Sequence, residues 1–175
     1  MEKSVRSLLH KPVAASNGGM AGTLADVYFD DRDWRLRYLV LDPGNPMPRR
    51  EVLVPAIAIL RLEPAPGLSL THSQVEHCPP LDDDPPVYLQ HELGVVAPHG
   101  DPHLRSCEVL LGYAVCGADR QHGRLVDLML DGERRAVVAL VVETGSWLGS
   151  RRFALPPSEV RRIDWVLQRL DLRTA

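Results

Sequence analysis

The 175-residue chain has no apolar run approaching the roughly 20 residues that a membrane-spanning helix needs; the longest are of the kind from Ala136 to Val142. No basic flank with an apolar segment follows Met1, so no leader or membrane helix is expected and the sequence reads as soluble and cytoplasmic. Aromatic residues make up only 5%, against 13 glycines and 15 prolines, which excludes an architecture of long helices and favours short strands joined by many turns. Cysteine is scarce as well. Cys78, Cys107 and Cys116 are odd in number and irregular in spacing, which excludes a disulfide framework and fits a reducing compartment. No Ser/His/Asp arrangement, phosphate loop or dinucleotide glycine pattern is present, so no enzymatic activity and no cofactor are expected.

Charge of one sign is missing from the middle of the chain. Residues 74–104 hold six acidic side chains and no Lys or Arg, whereas residues 1–73 carry 9 basic and 8 acidic groups and residues 105–175 carry 11 and 9. The whole acidic excess behind the net charge of −3 therefore lies in this middle segment. Asp82-Asp83-Asp84 followed by Pro85-Pro86 predicts an extended linker, with Val87 to Val96 able to pack as a strap. The negative balance and the lack of a basic stripe interleaved with aromatics exclude DNA as a partner and disfavour RNA.

In chain order, Ser7 to Val13, the turn Ala15 to Gly19 and Gly22 to Phe29 read as strand, turn, strand, with Leu24, Asp26 and Tyr28 on one face. Trp34 to Leu41 returns as an antiparallel partner in which Leu36, Tyr38 and Val40 share a face. The proline-rich stretch from Pro43 to Arg50 is a loop, Glu51 to Val54 a strand ended by Pro55, Ala56 to Leu62 a short turn of helix, and Leu68 to Leu70 a last strand. These pieces predict a closed or nearly closed sheet of about six strands.

Laid over itself with an offset of 101, the chain repeats. Gly22, Leu24, Asp26, Asp30, Leu39, Val40, Gly44, Arg50, Pro55 and Arg61 meet identical residues from Gly123 to Arg162. The fold class predicted is thus all-β: two small barrels in tandem, residues 1–73 and 105–175, with at most short helical turns and with 74–104 as linker. Units this small have marginal cores, so they are expected to pack on one another or on a second chain, a homodimer being one such assembly. Ala136 to Val142, apolar on both faces, suits a strand covered on its outer side by the other repeat.

The pattern Gly-x-Leu-x-Asp-x-x-x-Asp, then Tyr38 to Asp42, then Val52 to Pro55, resembles the PRC-barrel domain, which is shared by the cytoplasmic part of the photosynthetic reaction centre H subunit and the C-terminal part of a ribosome maturation factor. Gly112 to Val115, Gly123 to Asp127, Leu140 to Trp147, Arg151 to Pro156 and Ile163 to Trp165 are similar to the bacterial tandem form of that family. The resemblance implies a noncatalytic protein-binding or assembly role, associated with a membrane or photosynthetic or electron-transfer complex through peripheral contact. Its alternative implication is an accessory factor in RNA processing or ribosome maturation.

Asp26 and Asp127 recur without a second carboxylate or a His fixed near them, so they are expected to accept backbone hydrogen bonds and to serve structure. Gly22 and Gly123 are expected where backbone approaches closely, and Gly44 and Gly145 in turns with positive φ. The best metal-ligand spacing, His99 and His103 with Cys107, falls among Pro98, Gly100 and Pro102, so no metal site is expected. Partner contact is placed instead on Met47, Arg49 and Arg50 of the first unit and on Trp147, Leu148, Arg151 and Arg152 of the second.

Overall fold

The computed structural model describes residues 2–44, 50–92, 100–145 and 149–173, residues 91–92 by their backbone alone. The strands are β1 (Glu2–Ser4), β2 (Pro12–Ala14), β3 (Met20–Asp30), β4 (Leu36–Asp42), β5 (Val52–Pro55), β6 (Ile59–Arg61), β7 (Gly67–Leu68), β8 (Leu104–Ser106), β9 (Ala114–Cys116), β10 (Gln121–Asp131), β11 (Ala136–Thr144), β12 (Arg151–Leu155), β13 (Val160–Asp164) and β14 (Arg169–Leu172). Four short helices accompany them: α1 (Val5–Leu8), α2 (His72–Glu76), α3 (Val87–Glu92) and α4 (Cys107–Leu110). The chain is all-β. Its strands form two sheets of the same internal order, β5-β4-β3-β2-β7-β6 and β12-β11-β10-β9-β14-β13.

Neither sheet closes, contrary to the barrel expected from the strand count. Closure would require β5 to meet β6 and β12 to meet β13. At those corners Pro55 and the pair Pro156-Pro157 offer no N–H to a ladder, and a 3₁₀ turn follows each, Ala56–Ala58 and Pro157–Glu159.

The long hairpins form as the sequence predicts, but two bulges change which side chains share a face. Register slips between Leu24 and Asp26 and again between Tyr28 and Phe29, leaving Ala25 and then Arg37 as the extra residues. In consequence Leu24, Val27, Phe29, Leu36, Leu39 and Leu41 enter the main core, while Tyr28 and Val40 lie in a second cluster on the outer face. The alternation read from sequence, which placed Leu24 with Tyr28 and Leu36 with Tyr38, holds only between bulges.

Between β1 and β2 the chain forms the helix α1, where Ser7 onward was expected to be strand. Ser4 caps α1 by accepting a hydrogen bond from Ser7 N at 3.1 Å, and Val5 and Leu8 turn inward. Ser106 does the same for α4 through Val109 N at 3.0 Å.

These caps belong to an exchange between the two sheets. β1 pairs with β10 of the opposite sheet, Ser4 opposite Met129, and β8 pairs with β3, Ser106 opposite Tyr28. Each serine hydroxyl donates to the recurrent aspartate of the other sheet, Ser106 to Asp26 and Ser4 to Asp127. The sheets also meet where Arg35 lies antiparallel to Ala136, its own counterpart, with Leu36 N donating to Arg135 O and Val137 N to Trp34 O, each at 2.8 Å. Arg35 opposite its offset partner Ala136 marks a local two-fold axis. One apolar core runs from Val5 and Leu24 of one sheet to Leu125 and Leu170 of the other. Removing either serine hydroxyl is expected to destabilise unequally. Ser106→Ala should cost about 2 kcal/mol, because the buried Asp26 loses a donor, and Ser4→Ala about 1 kcal/mol, because Asp127 is only half-buried. Urea unfolding midpoints compare them, and equal losses would contradict the assignment.

The described part of the middle segment is more structured than an extended linker, and residues 93–96 of the expected strap lie outside the described residues. Thr71 and Gln74 form a capping box on α2, Leu81–Asp83 is a 3₁₀ turn, and Val87–Glu92 is α3. Leu81 and Leu104 cover the outer face of the first sheet over Val40 and Leu53, and the Tyr38 hydroxyl donates to Asp84 at 2.9 Å. Among the described residues the outer face of β11 has no such cover: Val138, Ala139 and Val141 remain half-buried, so the described part of the other repeat does not pack over it.

Candidate interaction surface

The recurrent aspartates are joints. Oδ1 of Asp26 accepts from Val27 N at 2.6 Å and Glu108 N at 3.0 Å, and Oδ2 accepts from the Ser106 hydroxyl. Burial, only partly opposed by these donors and reinforced by the Glu108 carboxylate, pushes the Asp26 carboxyl up to about 7. Asp127 accepts from Leu128 N at 2.8 Å and Arg6 N at 3.2 Å in the same way. The expected structural role holds for both. What sequence reading missed is that the other donors, Ser106 and Glu108 for Asp26 and Ser4 and Arg6 for Asp127, come from the opposite unit, and the recurrence of Ser4 as Ser106 at the start of a short helix was the available signal.

His72, His77 and His103 each have a partner. His103 Nδ1 lies 2.7 Å from Asp31 Oδ1, His77 Nδ1 lies 2.6 Å from Ser73 O, and His72 Nε2 lies 3.3 Å from Pro43 O. Cys107 is buried in the core, where burial holds its thiol well above the usual range. His99 lies outside the described residues. Among those described, no three His, Cys, Asp or Glu side chains converge as metal ligands would.

Of the residues expected to contact a partner, Met47, Arg49, Trp147 and Leu148 lie outside the described residues. Arg50, Arg151 and Arg152 are exposed. Arg50 borders a cleft with Asp42, Glu51, Pro80 and Asp82 at the start of β5, so the acidic linker runs beside it. Arg151 and Arg152 begin β12, and Arg152 Nε donates to Glu143 Oε1 at 2.9 Å across the ladder. Beside that ladder opens a cleft of about 750 Å³ whose walls include Arg6, His122, Arg124, Glu143 and Thr144. Gly145, on the same cleft, does not adopt the positive φ expected of it, whereas Gly44 does at +78°.

The two equivalent edges are treated differently. In the first sheet Leu53 N donates to Pro79 O at 2.8 Å and Val52 bridges Pro80, so the linker covers the rim of β5. Val52, Leu53 and Val54 are buried, with Val52 at 1% exposure. Their counterparts Phe153, Ala154 and Leu155 are open or half-open, with Phe153 at 37%. Sequence reading pointed to Arg151 and Arg152 but missed this rim, because exposure depends on where the linker lies.

Compared with known families, residues 1–63 match the PRC-barrel domain. A PRC-barrel domain is therefore present at residues 1–63. The PRC match covers β1 to β6 and includes Asp26, which joins the two sheets, and Gly44, whose φ is +78°. It also includes β1, the strand that pairs with the opposite sheet. No curated protein matches the chain. No helix among the described residues is long and apolar enough to cross a membrane.

Proposed function

We propose that this chain is a noncatalytic protein-binding module in which residues 105–175 form a second PRC-type unit joined to the first through 74–104. The observation that carries the reading is the rim of β12. Three positions that are buried on β5 are opened on β12, beside two exposed arginines and the cleft bordered by Arg124 and Glu143. Apolar side chains with an arginine rim are the composition of contact surfaces rather than of solvated edges. The second PRC-type assignment is supported by the shared strand order of the two sheets and by the reciprocal serine–aspartate joints.

A photo-crosslinking amino acid at Arg151 tests this in native extract of cytoplasm and membranes. The expected product is a protein adduct that resists ribonuclease and weakens when Arg152 is changed to Glu. An adduct abolished by ribonuclease would instead favour RNA binding through the arginines, and no adduct at all would sink the proposal.

A further inference from the structure

We propose that β12 pairs antiparallel with β12 of a second copy of this chain, around a two-fold axis at Phe153. The proposal rests on the reading of the chain as a binding module and names its partner.

Hydrogen-bond phase identifies which groups are offered. Leu125 turns its N–H and C=O toward β9, donating to Tyr113 O at 2.9 Å and accepting from Gly112 N at 2.7 Å. In an antiparallel ladder the residue opposite then turns its own groups away as well. That residue is Val142, which therefore faces β12 and bonds Phe153. Arg152 and Ala154, the alternate residues, direct their backbone groups away from β11. The first sheet shows the use of such groups: Leu53, the counterpart of Ala154, donates outward to Pro79 O.

The strand Arg151-Arg-Phe-Ala-Leu155 is self-complementary in one register. With Phe153 opposite its own symmetry mate, Arg152 stands opposite Ala154 and both present their free backbone groups, so the phases agree. Arg151 falls opposite Leu155, and no arginine faces another. Shifting the axis to Arg152 places like charges directly opposite, which destabilises a ladder. Shifting it to Ala154 brings Pro156, which lacks an N–H, opposite Arg152. The Phe153 register also pairs all five residues and sets two Phe153 rings and two Leu155 side chains on one face, sharing the cover that the linker gives β5. An uncovered edge is a template for this kind of addition.

Sedimentation and covalent trapping test the pairing on the full chain. The wild type is expected to be a dimer at tens of micromolar. Ala154→Pro, which removes an outward N–H without touching the ladder to β11, should make it a monomer with a nearly unchanged melting temperature. Phe153→Cys, with Cys78 and Cys116 changed to Ser, should form a reducible disulfide dimer in air. Residues in a non-hydrogen-bonded antiparallel pair have Cα atoms about 4.5 Å apart, within disulfide reach. Ile57→Cys, exposed on the 3₁₀ turn that follows β5, is the control. A monomeric wild type, a dimer that survives Ala154→Pro, or Ile57→Cys crosslinking as readily as Phe153→Cys would each overturn it. If Ala154→Pro does not fold, the comparison of the two cysteine variants decides. A monomer would leave the binding-module reading to the photo-crosslinking test, so the two fail separately.

Discussion

Asp26→Asn is expected to make the protein markedly more stable at pH 8 and no more stable at pH 4. The Asp26 carboxyl is pushed up to about 7, chiefly by burial, from an unfolded value of 3.8. Between those values the folded chain holds a proton that the unfolded chain releases. The stability this confers is complete below about pH 4 and is lost as the pH rises through about 7. A gap of this size corresponds to roughly 4 kcal/mol. Asparagine avoids the loss because it carries no charge and fits the same partners. Its Oδ1 can accept from Val27 N and Glu108 N, and its Nδ2 can donate to the Ser106 hydroxyl. A rise in melting temperature on the order of 10 °C at pH 8 follows for a chain of this length. Melting curves at pH 4, 6 and 8 check it, and parallel profiles for the two proteins would refute it. Asp26→Ala behaves oppositely. It strands two N–H groups and a buried hydroxyl, and is expected to lose about 3 kcal/mol even at pH 4.

Alanine at Gly22 or at Gly123 should be at least as damaging. A Cβ at Gly22 would lie 2.5 Å from the Asp42 carbonyl oxygen, and one at Gly123 would meet the Glu143 carbonyl oxygen. Those carbonyls are backbone of β4 and β11, so relief requires the hairpins to open. Each substitution is expected to cost about 3 kcal/mol. Gly22 should lose about 1 kcal/mol more, since its φ of +152° is one that alanine rarely adopts. Gly44→Ala is the comparison: its φ is +78° with nothing within 4 Å of a Cβ, leaving only the backbone cost. Urea midpoints rank the three, and a Gly44→Ala as damaging as the others would rule out the steric account.

The strands themselves were legible because alternation, turns and prolines act over a few residues. Glycines at 22 and 123 were legible for the same reason, and the offset of 101 pointed to equivalent halves. The faces of β3 and β4 were not legible, since a bulge at Ala25 or Arg37 leaves no mark in composition yet moves every later side chain to the other side. The helical start was missed because Ser4 acts as a cap only once Val5 and Leu8 have a core to enter.

Sequence alone determined the all-β class, the repeated hairpin and the structural nature of its aspartates, since each follows from local periodicity and from comparing the chain with itself. Only the tertiary structure decided that β1 and β8 cross to opposite sheets, that each aspartate holds the other unit's serine, and that β5 is covered while β12 is open. The first two outcomes depend on contacts between residues some 80 to 125 positions apart, as from Asp26 to Ser106 and from Ser4 to Met129, and the cover over β5 on one 26 positions apart, from Leu53 to Pro79. Local propensity carries no information about such distances. Closing them is decided by which buried groups find partners once the chain has folded.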